Sequence, residues 1–222
     1  MKNLQKLLST AVFALGLSTL VGAATYDDLI NAAKMGEVGE IRSLVQKGAS
    51  VDTTDINGNT LLMLAARDGH AELVDYLIKE RAKLNARNAA GDTALRLASF
   101  RGHLKVVQIL LAGGASVDNP GWTPLAYAAY SGHFEIAKLL IDAGADIDAA
   151  SENGTTPLMA AARGGHEKII NLLLNSKANP NLKQDTGETA LDIALKNKNT
   201  DIGETLRRSG GKSGRSVTIE VR

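Results

Sequence analysis

The dipeptide Gly-His occurs at 69–70, 102–103, 132–133 and 165–166, which accounts for all four histidines of the chain. The intervals are 33, 30 and 33 residues. A second frame keeps the same register, in Gly58, Gly91, Gly121, Gly154 and Gly187. A fixed period of this length implies one supersecondary unit repeated along the chain, each copy unable to bury its apolar face alone.

Within each unit a short helix opens first: "NTLLMLAARDGH", "DTALRLASFRGH", "WTPLAYAAYSGH" and "TTPLMAAARGGH". The threonine can cap it by accepting a backbone N–H, and Pro124 and Pro157 sit at the first helical position, where a missing donor costs nothing. A second apolar run follows each histidine, for example Leu73, Val74, Tyr76, Leu77 and Ile78, or Ile169, Ile170, Leu172, Leu173 and Leu174. That spacing is a wide helical face. Gly114 and Gly144 then end helices in a left-handed conformation before "ASVD" and "ADID". Each unit is therefore helix, tight turn, helix and extended loop. Helices this short are marginal in water, so stacking of unit on unit must stabilise them.

These motifs resemble ankyrin repeat proteins. The helix-opening Thr-Pro-Leu-His of that family corresponds to Thr123-Pro124-Leu125-Ala126 and Thr156-Pro157-Leu158-Met159, and its Gly-Ala-Asp-x-Asn loop to Gly144-Ala145-Asp146-Ile147-Asp148. The resemblance spans about residues 25 to 211. It implies an all-α repeat fold, an ankyrin solenoid of helix-turn-helix units with β-hairpin-like finger loops, about six units including caps. The expected divisions are an N-terminal capping unit over 25–57, repeats over 58–90, 91–120, 121–153 and 154–186, and a C-terminal capping unit over 187–211. In the first cap Glu37 replaces the histidine. In the last, Ile202, Gly203, Thr205, Leu206 and Arg207 stand where Ile169, Ile170, Leu172, Leu173 and Leu174 stand one unit earlier, so half the apolar face has turned polar.

Lys2, Lys6, the apolar stretch 7–21 and "GAA" at 22–24 read as a secretory signal peptide, cleaved after Ala23 or Ala24. An uncleaved anchor is the alternative, although the apolar run falls short of a ~20-residue membrane span. No cysteine follows, which removes lipid attachment at that point. Periplasmic export is the expectation, with secretion as the alternative and no membrane association after cleavage. At the other end, 212–222 lies outside the period and is expected to be a mobile tail, its alternating Val217, Ile219 and Val221 offering pairing with a sheet edge as the other reading.

The composition leaves few routes to chemistry. With 25 basic and 24 acidic residues there is no footprint for nucleic acid, and zero cysteines remove thiolate metal sites and thiol nucleophiles. His70, His103, His133 and His166 occupy one equivalent position in units spaced about 8–10 Å apart, so they cannot converge on a metal whose nitrogens must lie within about 2.1 Å of one point. His166-Glu167 lacks the second histidine of a zincin helix, position 170 being Ile. The four are read as structural, and the resemblance implies that each bonds locally within its turn. The family's loop-bracing histidine is replaced by Met63, Arg96, Ala126, Met159 and Asp192, so that brace is expected to be missing throughout. Arg81 and Lys177 stand where Gly48, Gly114 and Gly144 end their helices. "GGKSGR" at 210–215 lacks the first glycine, the strand and the helix of a phosphate loop. No enzyme activity, cofactor or metal is expected.

The resemblance implies protein binding through finger loops and the inner face of each first helix. Carried over by position, the contact residues are Ile56, Asn59, Arg67, Phe100, Arg101, Asn119, Trp122, Tyr130, Thr155, Arg163 and Glu188. The 30-residue interval places a three-residue gap in the finger between the second and third full units, and around it gather Trp122 (the sole tryptophan), Tyr130, Phe100 and Tyr127. Trp122 either anchors a partner there or packs over the short loop, and Tyr127 is assigned to the core. The expected partner is one protein, bound by a monomer. An accessory role beside an oxidative-stress enzyme, an immunity protein against a toxin, and a secreted effector all fit that surface.

Overall fold

The structure is a computed structural model that describes residues 25–214. The expected signal peptide, 1–24, lies outside these residues, as does 215–222. The described chain is a single file of six helix pairs: α1 (25–35) with α2 (Val38–Gln46), α3 (Leu61–Asp68) with α4 (Ala71–Lys79), α5 (Ala94–Arg101) with α6 (Leu104–Ala112), α7 (Pro124–Ser131) with α8 (Phe134–Asp142), α9 (Pro157–Gly164) with α10 (Glu167–Asn175), and α11 (Ala190–Lys196) with α12 (Thr200–Arg208). Among the described residues no named strand forms, and an isolated bridge, Thr54 to Thr60, is the trace of a hairpin in the first finger. The result is the all-helical solenoid that the repeats require.

Local chemistry starts each first helix as expected. The hydroxyls of Thr60, Thr93, Thr123, Thr156 and Thr189 accept from the backbone N–H three residues on, at Met63, Arg96, Ala126, Met159 and Asp192. Each first helix from α3 to α9 ends at a glycine with φ between 77° and 84°. The inner helices α3, α5, α7, α9 and α11 pack in succession, as do the outer helices α4, α6, α8 and α10. Small side chains line the inner seam, with Ala65, Ala98, Ala128, Ala161 and Ala194 fully buried, while Leu73, Leu77, Leu110, Leu140 and Leu173 fill the layer between inner and outer helices. Close helix approach follows from the small residues, and the larger ones supply the apolar burial, about 25 cal/mol per Å2.

Two hydrogen-bond ladders run along the stack. The Nε2–H of His70, His103, His133 and His166 donates to the carbonyl of Lys34, Arg67, Phe100 and Tyr130, at 2.7–3.1 Å. A carbonyl can only accept, so the proton sits on Nε2. Each bond reaches into the preceding unit, which corrects the expectation of a bond confined to the histidine's own turn. The ring also lies over the glycine of that unit: a Cβ on Gly102 would come within 2.6 Å of the His133 ring. In the last unit Asn197 Nδ2 takes over, donating to Arg163 O at 3.2 Å.

The second ladder lies at the loops. Side-chain oxygens of Asp52, Asn85, Asp118, Asp148 and Asn181 accept from the backbone N–H of Lys83, Ser116, Asp146, Asn179 and Lys212 at 2.9–3.0 Å. Its last rung holds residue 212, and the following residues are held too. Ser213 Oγ donates to Asp192 Oδ1 at 2.5 Å, and the Gly214 N–H to Asp192 Oδ2 at 2.7 Å. Residues 212–214 are therefore docked, contrary to the expectation of a mobile tail starting at 212. Residue 212 makes the contact that the loop of the next unit makes at each earlier rung.

Arg81 and Lys177 have φ of 63° and 72°, the left-handed geometry foreseen at those helix ends, and Lys198, with 61°, is a third case where earlier units carry glycine. A side chain in that region costs about 1–2 kcal/mol. Arg81→Gly is therefore expected to raise the melting temperature in thermal denaturation followed by circular dichroism. A second expectation concerns pH. Burial pushes the Asp192 carboxyl up, but hydrogen bonds from Ser213, Thr189 and Gly214 outweigh it and hold the group below its ordinary value. A depressed carboxylate contributes stability above its unfolded pKa, about 3.9, that is lost as pH falls through the folded value. Amide exchange at 212–214 should thus be protected at neutral pH and lose protection on acidification below the ordinary aspartate range.

Candidate protein-binding face

The candidate site forms where the period breaks. Fingers one and two join through a backbone bond from Ala89 N to Asn57 O, and fingers four and five through Asp185 N to Asn153 O, both 3.0 Å. The finger between them, at 118–121, is three residues short, and side chains replace the backbone link. Arg96, at the third position of α5, donates from Nη1 to Gly91 O at 2.6 Å and from Nη2 to Asn119 O and Pro120 O at 3.0 and 2.5 Å. Arg87 donates from Nε to Gly91 O and from Nη2 to Pro120 O, at 3.0 and 3.3 Å. Two guanidinium groups thus share two carbonyls. The brace expected to be missing throughout is present here, made by Arg96 itself. In the last unit Asp192 makes it, accepting from Thr189 N at 2.9 Å.

Beside this brace the aromatic side chains form a continuous run. Phe100 meets Tyr127 edge-on at 5.5 Å between ring centroids, Tyr127 meets Trp122 at 5.3 Å, and Trp122 meets Tyr130 edge-on at 5.8 Å. Phe100 and Tyr130 remain exposed, at 39% and 40%. A notch of about 330 Å3 opens at the short finger, lined by Arg87, Ala90, Pro120, Trp122 and residues 151–153 of the next finger. A second cavity of about 290 Å3 opens on the inner helices, lined by Arg67, Leu97, Phe100 and Arg101. Asp92, Arg96 and Tyr127 line both and form the wall between them. Trp122 both packs over the short loop and borders the notch, so the two sequence readings describe one position. Tyr127, assigned to the core, is half-buried and part of the site.

Electrostatics sharpen the picture. Burial, and then the neighbouring Arg87 charge, pull the Arg96 guanidinium below its ordinary value, with Asp92 acting against them. Burial and Asp92 push the Tyr127 phenol up, so it stays a neutral donor. Arg67 is held in a two-point ion pair with Asp68, at 2.9 and 2.7 Å, whereas Arg101 lies over the Phe100 ring at 5.8 Å.

The other expected contact residues divide. Ile56 is 95% exposed at the first fingertip, and Arg163 is exposed on the inner face. Asn59 is bound within the fingers, donating to Asp55 and accepting from Asn88 Nδ2 at 2.7 Å. Asn119 serves the brace through its carbonyl. Thr155 and Glu188 are corrections: both are buried, at 1% and 4%, in a polar network with Gln184. Gln184 Nε2 donates to Glu188 Oε2 at 2.7 Å, its Oε1 accepts from Thr155 and Arg163, and Lys196 pairs with Glu188 at 3.3 Å. Asn59, Asp92 and Trp122 hold the same position in earlier units and stay partly exposed, whereas lateral packing of fingers four and five closes over these two. Arg96 was missed as a site residue, because a lone Arg at a helix start carries no signal until its acceptors are in place. Among the described residues no group of three or more His, Asp or Glu side chains could hold a metal ion.

Family profiles for ankyrin repeats match this chain, one described as ankyrin repeats in three copies over residues 82–151 and 146–216, and one as ankyrin repeats in many copies over 44–98. A similar solved structure is that of the Bd0816 predatory endopeptidase from Bdellovibrio bacteriovorus in complex with immunity protein Bd3460. Its matching chain is 31% identical, with a TM-score of 0.74 over 82% of this chain and 97% of that one. No curated protein sequence matches.

Replacing Arg96 by Met keeps the volume and removes the brace. Hydrogen bonds from a charged donor contribute about 1.5–3 kcal/mol. Arg96→Met is therefore expected to lower stability by about that amount in urea denaturation, and to shift the emission of Trp122, which borders the loosened finger.

Proposed function

Because the chain belongs to the ankyrin repeat family, we propose that it is a non-catalytic scaffold that binds one folded protein partner through its inner face and fingers. The observation that carries this reading is the run Phe100, Tyr127, Trp122, Tyr130, flanked by Arg101 and bordering two cavities. Aromatic and arginine side chains dominate binding hot spots, since they bury much area for little lost side-chain freedom. The four histidine Nε2 atoms donate to carbonyls, and Asp192 and Glu188 are tied into internal networks.

Among the physiological roles open from the sequence, immunity against an exported enzyme has a specific support. The similar structure is of an endopeptidase in complex with an immunity protein, and the likeness extends over nearly the whole of the matching chain. We place the protein in the periplasm on the strength of the 1–24 segment, and read the partner as an enzyme met on that side of the inner membrane. The accessory role in oxidative-stress defence has no comparable support.

Isolation of crosslinked complexes from the periplasm, with mass spectrometry, tests both the partner and the compartment. One dominant protein partner is expected, and Trp122→Ala should lose most of it while melting within about 1 kcal/mol of the parent. Fractionation should place the mature chain, beginning at residue 24 or 25, in the periplasm. Equal recovery with Trp122→Ala would move the binding face elsewhere on the solenoid.

A further inference from the structure

Three arginines at the candidate site have no ion-pair partner among the described residues: Arg87, Arg96 and Arg101. Arg96 is the unusual one. It is 3% exposed, yet its three acceptors are all neutral carbonyls, and its Nε–H has no acceptor. A buried cation is costly unless paired, and buried donors are rarely left unsatisfied. One carboxylate, Asp92, stands at the wall between the two cavities. It faces the Tyr127 phenol as well as Arg96.

The two cavities differ in what they would accept. The finger notch has Glu152 on its far rim, opposing Arg87. The inner cavity is lined by Arg67, Arg96 and Arg101 against Asp92, over an apolar floor of Leu97, Phe100 and Tyr127. Arg67 is compensated by Asp68, which leaves Arg96 and Arg101 against the single carboxylate of Asp92, so the cavity keeps a net positive charge. Resting on the scaffold reading, we propose that the inner cavity is a receptor for an acidic side chain, an Asp or Glu carried on a protruding loop of the partner. Its carboxylate sits between Arg101 and the wall at Arg96, and the methylenes behind it lie on Phe100 and Leu97. Planar guanidinium groups recognise carboxylates with fixed geometry, and desolvation in a cavity strengthens the attraction over that of an open surface. A side chain is the source rather than a chain terminus because the cavity opens along the groove on the inner helices, where a continuous loop can cross. The aromatic run beside it receives the residue next to the acid.

The test uses the full chain as bait for a phage-displayed library of cyclic random peptides, followed by synthesis of the selected peptides with amidated C-termini. Binding is read from the emission of Trp122, the only tryptophan, which touches the shared wall through Tyr127. Selected peptides are expected to share an Asp or Glu, and Glu→Gln or Asp→Asn in the peptide should weaken binding about tenfold or more. Arg101→Gln in the protein should weaken the acidic peptide by a similar factor and leave its Gln or Asn form unchanged. Lys105→Gln, an exposed charge on α6, should change neither, which separates local recognition from net charge. Peptides without a shared acid, acidic peptides indifferent to Arg101→Gln, or binding that needs a free C-terminal carboxylate would each overturn the acidic receptor and leave the scaffold standing. A library that yields no ligand for the inner face would remove both.

Discussion

Everything in this molecule depends on one helix pair being covered by the next. No pair buries its own apolar surface, and each helix of eight or nine residues would be marginal alone. Stacking alone would let the units slide or twist, since leucine against alanine is not directional. The two ladders supply direction. A histidine in each of the four central units, Asn197 in the last, and one Asp or Asn at each loop rung reach a defined partner in the neighbouring unit, and each bond sets the rise and rotation of the stack. The glycine beneath each histidine ring serves the same end, because any side chain there would hold the rings off.

A regular stack offers regular surfaces, and specific binding needs an irregular one. The three missing residues provide it. Shortening one finger breaks the lateral backbone link on that side, and the carbonyls so released need donors. Arg96 and Arg87 supply them, at the cost of burying a cation without a counter-charge in contact. The shortened finger also leaves room for Trp122 beside it. The lateral finger contact at this point rests on a charged brace in place of a backbone bond, and the candidate site forms beside it.

Much of the fold was legible because its signals are local and repeated. Threonine caps, the glycine before each histidine and the apolar offsets recur often enough that chance is excluded, and the strained ends at Arg81 and Lys177 could be named because glycine stands there in other units. The histidines could be assigned a structural role by geometry alone. Their acceptors could not, since a histidine in sequence gives no sign of whether it bonds within its own unit or into the one before. The same blindness explains Thr155 and Glu188. They hold the position of Asn59, Asp92 and Trp122, which stay partly exposed, and only the closure of fingers four and five around Gln184 buries them. Residues 212–214 belong here too: they look aperiodic, but the side chains of Asn181 and Asp192 hold them.

The amino-acid sequence by itself determined the period, the order of helices, the ends of each unit and the place where the pattern breaks, because these follow from backbone preference and side-chain hydrophobicity along the chain. Tertiary structure decided which polar groups face solvent and which face one another: the buried charge of Arg96, the cavity shared with Tyr127, and the withdrawal of Thr155 and Glu188 from the surface. Hydrogen-bond partners about 20 to 36 residues apart are chosen by how units seat on each other, and that seating is a property of the assembled stack rather than of any single repeat.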